Sequence, residues 1–491
     1  MKTTRREFTK VAGAMMVAAT GIPTLFASAS ASASASARNG KPSAARGGRR
    51  GTYLIKNGMI ITVDRRHGVL PGADILIRNG VIEKIGRDLR ASDAQTIDAT
   101  DMIVMPGFVN SHYHMWSAIG RSFTARDGGF SYYPAKSATS ALYTPEDFYN
   151  SVLLACAELA NGGTTTVHNW SHNTRSAAHA DAELRAHQHS LLRARYSYGH
   201  IDKLPVDEVN KFSDLARVRH QWFGDNSPFD GLVHLGLNLR GPQQSTDAVF
   251  HEEMKFVKES RLPVAIHAPQ EAPNNVDAVD YERRGYLGPD FMIAHYVPAT
   301  TADLAAMART KTPLSFATHS ELRLSSTGDA RAALFAMRAA GLTISLSSDA
   351  TSIAPPDMFE MMRFTWNLGV PWVGTSSERA RAVSVQEVIE MATINGAIAM
   401  GIGDITGSIT EGKRADIILV RAKDLNIWPI GNIETAIVQS GSASNVDTVL
   451  VDGRLIKKSG RLLAYNVDSI VRGAQASSSR ILNAADEILK F

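Results

Sequence analysis

Two histidines one residue apart, His112 and His114, follow the apolar run Met102–Met105. His267 follows Pro263–Ile266, His295 follows Phe291–Ala294, and a carboxylate, Asp349, lies just beyond Thr343–Leu346. In an extended segment, side chains two residues apart point the same way, so His112 and His114 can bind one cation together. Imidazole nitrogens with a single carboxylate suit zinc or ferrous iron better than magnesium or calcium, which take oxygen ligands. The chemistry this set supports is water activation on a divalent metal, which brings the pKa of bound water to about 7. Each piece alone has a plainer reading: a polar loop, a hydrogen-bonded core imidazole, a helix cap. All of them falling at the ends of apolar runs is what points to one ion.

Such ends must be brought together by the elements that precede them. Eight apolar β-type runs recur through the middle of the chain: Met102–Met105, Thr164–Val167, Arg195–Tyr198, Leu232–Leu239, Pro263–Ile266, Phe291–Ala294, Pro313–Phe316 and Thr343–Leu346. Helical stretches such as Pro145–Asn161 and Ser384–Met400 separate them. That count and spacing predict a (β/α)8 TIM barrel over residues 104–405, with its active site at the C-terminal strand ends. The histidines and Asp349 then follow the first, fifth, sixth and eighth strands. The alternative, a doubly wound open sheet, lacks a G-x-G-x-x-G after any strand. Short strands with turns fill both flanks, including the hairpin signals Asn79-Gly80 and Asp452-Gly453. They predict a small composite β-sandwich built from residues 52–103 and 406–465, with a helical tail at 466–491.

The chain has 491 residues, of which 44% are hydrophobic and 20% charged, so it can bury a sizeable core. Its formal charge is +4, and +3 of that lies in residues 1–37, which argues against a nucleic-acid binder. The single cysteine, Cys156, excludes an intramolecular disulfide framework and a cysteine-based zinc cluster. It sits in Leu153-Leu-Ala-Cys-Ala and reads as a buried small residue. At the N-terminus, Arg5-Arg6 with Phe8 and Lys10 precedes the apolar run Val11–Phe26 and an alternating Ala/Ser tail. This resembles a twin-arginine export signal over 1–37, followed by a flexible basic linker at 38–51. The run is shorter than the roughly 20 residues of a comfortable span, although an uncleaved anchor is the competing reading. Export implies the twin-arginine machinery as a partner, a periplasmic or extracellular location, and no stable membrane span in the mature form.

The segment Pro106-Gly-Phe-Val-Asn-Ser-His112-Tyr-His114 resembles the opening metal motif of the amidohydrolase superfamily. Asn57-Gly58 and Val63-Asp64 look like its N-terminal sandwich, and Ala392–Ala397 and Gly407–Asp416 look like its barrel exit. His295, Ser348-Asp349-Ala350 and Asp357–Arg363 are similar to the cytosine deaminase and triazine hydrolase branch. The resemblance implies one divalent metal ion per chain, zinc or iron, on His112, His114, His267 and Asp349. It also implies His295 as the catalytic partner beside the metal, Asp349 as proton acceptor, and hydrolysis of a small molecule.

Departures from the branch narrow the chemistry. Its deaminases usually carry a Glu three residues after the fifth-strand histidine, where this chain has Gln270, in His267-Ala-Pro-Gln-Glu271. A neutral amide relays no proton, so Glu271 is the candidate proton donor and Gln270 a substrate contact. The missing Glu favours cleavage of a non-peptide amide, urea, carbamate or cyclic amidine, with aminoheterocycle deamination or dehalogenation as the alternative. Further substrate contacts are expected from Trp170 and His172 at the second strand end, His200 at the third and His319 at the seventh. Leu235–Arg240, at the fourth strand, has no lysine to bridge two metals, and guanidinium is not a metal ligand. A binuclear peptidase or lactonase and a non-catalytic binder remain as competing functions, and a homo-oligomer is possible.

Overall fold

The computed structural model describes residues 48–123, 132–210, 212–242, 244–270, 273–325, 329–370 and 382–489. The export-type segment 1–37, most of the linker 38–51, and Glu271 lie outside these residues. Among the described residues, the strands form two sheets.

The first sheet holds eight parallel strands in sequence order: β6 (Phe108–Tyr113), β7 (Thr164–Ser171), β8 (Arg193–Tyr198), β9 (Val233–Leu239), β10 (Val264–His267), β11 (Phe291–Ala294), β12 (Leu314–Phe316) and β13 (Ile344–Leu346). Their continuous burial fits strands covered on both faces. The ring nearly closes between its last and first strands. Asp349 N donates to His112 O at 3.0 Å, and His114 N donates to Asp349 O at 2.8 Å. Helices pack outside. Helix Pro145–Asn161 starts at Thr144, whose capping box with Asp147 satisfies the free first-turn amides, and it ends at Gly162.

The second sheet has nine strands and comes from both chain ends. They are β1 (Tyr53–Ile61), β2 (Val69–Arg78), β3 (Val81–Gly86), β4 (Gln95–Asp98), β5 (Met102–Pro106), β14 (Ile417–Arg421), β15 (Val446–Val451), β16 (Arg454–Lys458) and β17 (Arg461–Leu462). Asn79 and Gly80 both have positive φ, 49° and 79°, as the tight turn between β2 and β3 requires. The run Met102–Met105 belongs to this sheet: β5 pairs with β1 and β14, which corrects its assignment as the first barrel strand. Pro106-Gly107 breaks one long apolar run into two strands, and the first barrel strand is the second of these, β6. The predicted helix Ser384–Met400 likewise divides, into Val385–Met391 and Ile394–Ala399. Cys156 is buried and free. No helix among the described residues is long and apolar enough to cross a membrane.

Candidate metal centre

Barrel closure itself builds half of the site. The bridge between Tyr113 and Asp349 sets Asp349 beside both first-strand histidines. Alternation along β6 sends His112 and His114 to the same side, while the Tyr113 hydroxyl turns to Thr351. His267 ends β10, where Gly241 packs against its carbonyl so closely that any Cβ there would clash; the glycine also has φ of 75°. One ligand atom from each of His112, His114, His267 and Asp349 lies within 4.8 Å of the others. Asp349 Oδ1 is 3.2 Å from His112 Nε2 and 3.1 Å from His114 Nε2.

The electrostatics match a cation's needs. Burial pulls His112 down to about 3, and pulls His114 and His267 down as well, so all three imidazoles are neutral near pH 7. Burial works against an ionised Asp349, but the His112 and His114 rings beside it outweigh burial and hold the carboxyl well below its ordinary value. Three neutral nitrogen donors and one carboxylate oxygen, converging and buried except for the half-buried His267, are the donor set of a divalent cation. The Nδ1 atom of His112 is buried without a partner, so this ring is held by packing and by its Nε2 contact.

A second layer of side chains orients the first. His114 Nδ1 lies 3.1 Å from His172 Nδ1, and Trp116 Nε1 donates to that same nitrogen at 3.1 Å. His295 is 1% exposed, and its ring stacks parallel to that of His267 at 5.5 Å. Its Nδ1 donates to Glu321 Oε1 at 2.9 Å. Burial disfavours the imidazolium, yet the Glu321 carboxylate raises His295 to about 8. Ser320 Oγ donates to Asp349 Oδ2 at 2.7 Å.

Above this lies a cavity of roughly 60 Å³. It is lined by the candidate ligands His114, His267 and Asp349, by His295, and by the expected contacts His172, His200 and Gln270. Tyr132, Tyr133, Lys136, Gln244 and Leu324 complete the wall. Two expected substrate contacts lie elsewhere. Trp170 is fully buried beneath the ligands, 4.1 Å from His267 and 4.7 Å from His112 between ring centroids. Its size and aromaticity serve packing there. His319 packs against Phe364, with ring centroids 4.6 Å apart and planes tilted by 39°, and lies 3.3 Å from Glu360, because the helix Thr318–Leu324 turns it away from the cavity. That same turn brings its neighbours Ser320 and Glu321 to the site, which the sequence reading missed. An acidic residue five positions past a strand end was the available signal. Lys136, also missed, pairs with Asp202 at 2.9 Å.

Fold and centre together define a barrel hydrolase equipped for a divalent cation. The Amidohydrolase family profile matches residues 103–456, well over half of the chain. The chain belongs to the amidohydrolase family. It is 26% identical over 442 residues to a 5'-deoxyadenosine deaminase of Methanosarcina mazei, covering 87% of this chain and 98% of that one. It is 27% identical to a 5-methylthioadenosine/S-adenosylhomocysteine deaminase of Acetivibrio thermocellus, covering 87% of this chain and 99% of that one. Among solved structures, a zinc-bound adenosine deaminase from Xanthomonas campestris superposes with a TM-score of 0.76 at 22% identity, over 88% of this chain and 98% of that one. An atrazine chlorohydrolase from Arthrobacter aurescens TC1 complexed with zinc also gives 0.76, at 20% identity, over 87% and 100% of the two chains.

Proposed function

We propose that this chain hydrolyses a carbon–nitrogen bond in a small molecule, using one zinc or iron ion on His112, His114, His267 and Asp349. The observation that carries the reading is the convergence of these four ligand atoms at the strand ends, three of them on buried residues. A single ion is favoured because β9 carries no lysine, and Arg240 beyond it is engaged with Glu253 and the carbonyl of Pro205. A bound divalent cation lowers the pKa of water towards about 7 and so supplies a nucleophile near neutral pH. Asp349 takes the proton of the attacking water. His295, on the cavity wall, hydrogen-bonds the oxygen that gains charge as the carbon becomes tetrahedral. Gln270 orients the substrate, since an amide has no proton to relay. The departing nitrogen leaves with the proton that Asp349 took from the water, so that one water is consumed and Asp349 is returned to its ionised form.

The first substrate class is a non-peptide amide, urea, carbamate or cyclic amidine. A second reading, loss of an exocyclic amine from an aminoheterocycle, is favoured by the deaminase names of the relatives. Tyr132 and Tyr133 at the cavity suit a planar ring. Metal content per chain, measured by mass spectrometry, followed by a screen for amine or ammonia release, tests both readings. One zinc or iron with product release supports the proposal. A protein that refuses metal on reconstitution removes it, and two ions move peptidase and lactonase substrates to the front.

Export by the twin-arginine route to the periplasm or beyond is the proposed location, supported by Arg5-Arg6, Phe8, Lys10 and the apolar run that follows. Cell fractionation of an Arg5→Lys/Arg6→Lys variant checks it: retention in the cytoplasm supports export, and an unchanged distribution overturns it.

A further inference from the structure

We infer that Ser320 and Glu321 form a two-point positioning device, in which Glu321 fixes the ring of His295 and Ser320 fixes the carboxylate of Asp349. The inference rests on the reading above for its effects on turnover and on zinc affinity, and is independent of it for the state of the His295 ring.

Both residues belong to the short helix Thr318–Leu324, which follows β12. Both are fully buried, and His295 and Asp349 are 1% and 3% exposed. Glu321 Oε1 accepts from His295 Nδ1 at 2.9 Å and from Ala317 N at 3.0 Å. The second bond ties the carboxylate to the end of its own strand. A carboxylate accepts but does not donate in this bond, so His295 must carry a proton on Nδ1. Its Nε2 is then the nitrogen left for the cavity that His295 lines. The other Glu321 oxygen, Oε2, is buried without a partner, so His295 is the side chain for which this buried acid is placed.

Ser320 does the complementary task one residue earlier. Its hydroxyl donates to Asp349 Oδ2 at 2.7 Å, which leaves Oδ1 as the oxygen turned to His112 and His114. One helix turn thus holds a ligand carboxylate and the neighbouring imidazole in a fixed mutual orientation. Partners of this kind fix ring orientation and ligand basicity, and removing one costs about 10–100-fold in metal affinity or activity. Neither side chain lines the cavity, so both act through another residue.

The experiment uses the full chain with Glu321→Ala, Glu321→Gln and Ser320→Ala. It reads metal affinity by chelator competition with zinc, kcat and KM on the substrate found by screening, and the nitrogen-15 shifts of His295. Glu321→Ala is expected to lower kcat about 10–100-fold, with KM and zinc affinity near parental. Its His295 signals should lose the fixed Nδ1-protonated pattern. Glu321→Gln keeps an acceptor carbonyl of the same shape, and should keep that pattern and recover much of kcat. Ser320→Ala is expected to weaken zinc binding about 10-fold or more. Parental tautomer and kcat in Glu321→Ala, or parental zinc affinity in Ser320→Ala, overturns the assignment. The tautomer and zinc readouts need no turnover, so a failure of the hydrolase reading stays separable from a failure of this one. If Glu321→Ala does not fold, Glu321→Gln against Glu321→Leu gives the same comparison.

Discussion

His295 and Asp349 both sit in left-handed backbone, with φ of 74° and 58°, and Tyr296 follows at 70°. Side-chain-bearing residues held there cost about 1–3 kcal/mol each and persist where their surroundings over-determine them. Here the surroundings do so. His295 N donates to Ser315 O at 2.9 Å, and Asp349 uses both its amide and its carbonyl to close the barrel. The strain is therefore spent on aiming an imidazole and a carboxylate at the same point. Since His295 stands beside the four ligand atoms rather than among them, His295→Ala is expected to retain metal. It should lose turnover by about 10²-fold or more, the scale of a positioned acid–base group. Metal content and kcat measured on the same preparation check this, and full turnover in the variant removes the role.

The strand β7 shows how an element serves the site with one face and the fold with the other. His168, Trp170 and His172 point inward: the first bonds Ser111 O and Ser197 Oγ, the second packs on His267, and the third braces His114. Asn169 and Ser171 point outward and donate to Glu183 of helix Ala177–Ser190, at 2.6 and 3.1 Å. Burial drives Glu183 up to about 8 despite these two bonds, against an ordinary 4.5. From about pH 4.5 to about pH 8 the unfolded chain releases a proton that the native chain keeps, so this group lowers stability as pH rises through that window. Glu183→Gln keeps the shape without the titration. The parent's Tm is expected to fall more steeply than the variant's between about pH 5 and about pH 8, and parallel curves would count against a buried neutral carboxyl. The candidate ligands His112, His114, His267 and Asp349 were legible because each lies at or soon after the end of an apolar run. The outward clamp was not, since Glu183 looks like any helical surface charge until the helix is docked. Similarly, residue type did not say that Trp170 faces the ligands from below or that His319 faces away, while Tyr132 and Lys136 reach the cavity through a long connection with no periodic pattern. Met102–Met105 was placed in the wrong sheet because its partner β14 lies more than three hundred residues further along the chain.

At the scale of the molecule, the end sheet and the barrel are joined by a buried ionic junction at the strand starts, opposite to the site. Arg193, the first residue of β8, reaches Asp416 with Nε at 2.7 Å and Nη2 at 3.3 Å. Asp416 Oδ1 also accepts the amide of Asp452 at 2.6 Å, and the Asp452 carboxylate is gripped by Arg50, Arg414 and Arg454. Arg193 and Asp416 are 2% and 3% exposed, so neither charge has water to fall back on. Such a pair gains little over an apolar one of the same volume, but breaking it strands the survivor. Arg193→Ala is therefore expected to destabilise the chain by about 3–5 kcal/mol, as is Asp416→Ala, with the double variant costing much less than the sum. Urea unfolding of the three variants measures this. Metal content of the folded fraction should stay parental, because the ligands lie at the other end of the strands. Additive losses would mean that the two residues support the fold separately. A loss below about 1 kcal/mol for Arg193→Ala would mean that the sheet is held to the barrel by its apolar contacts and the continuity of β5 into β6.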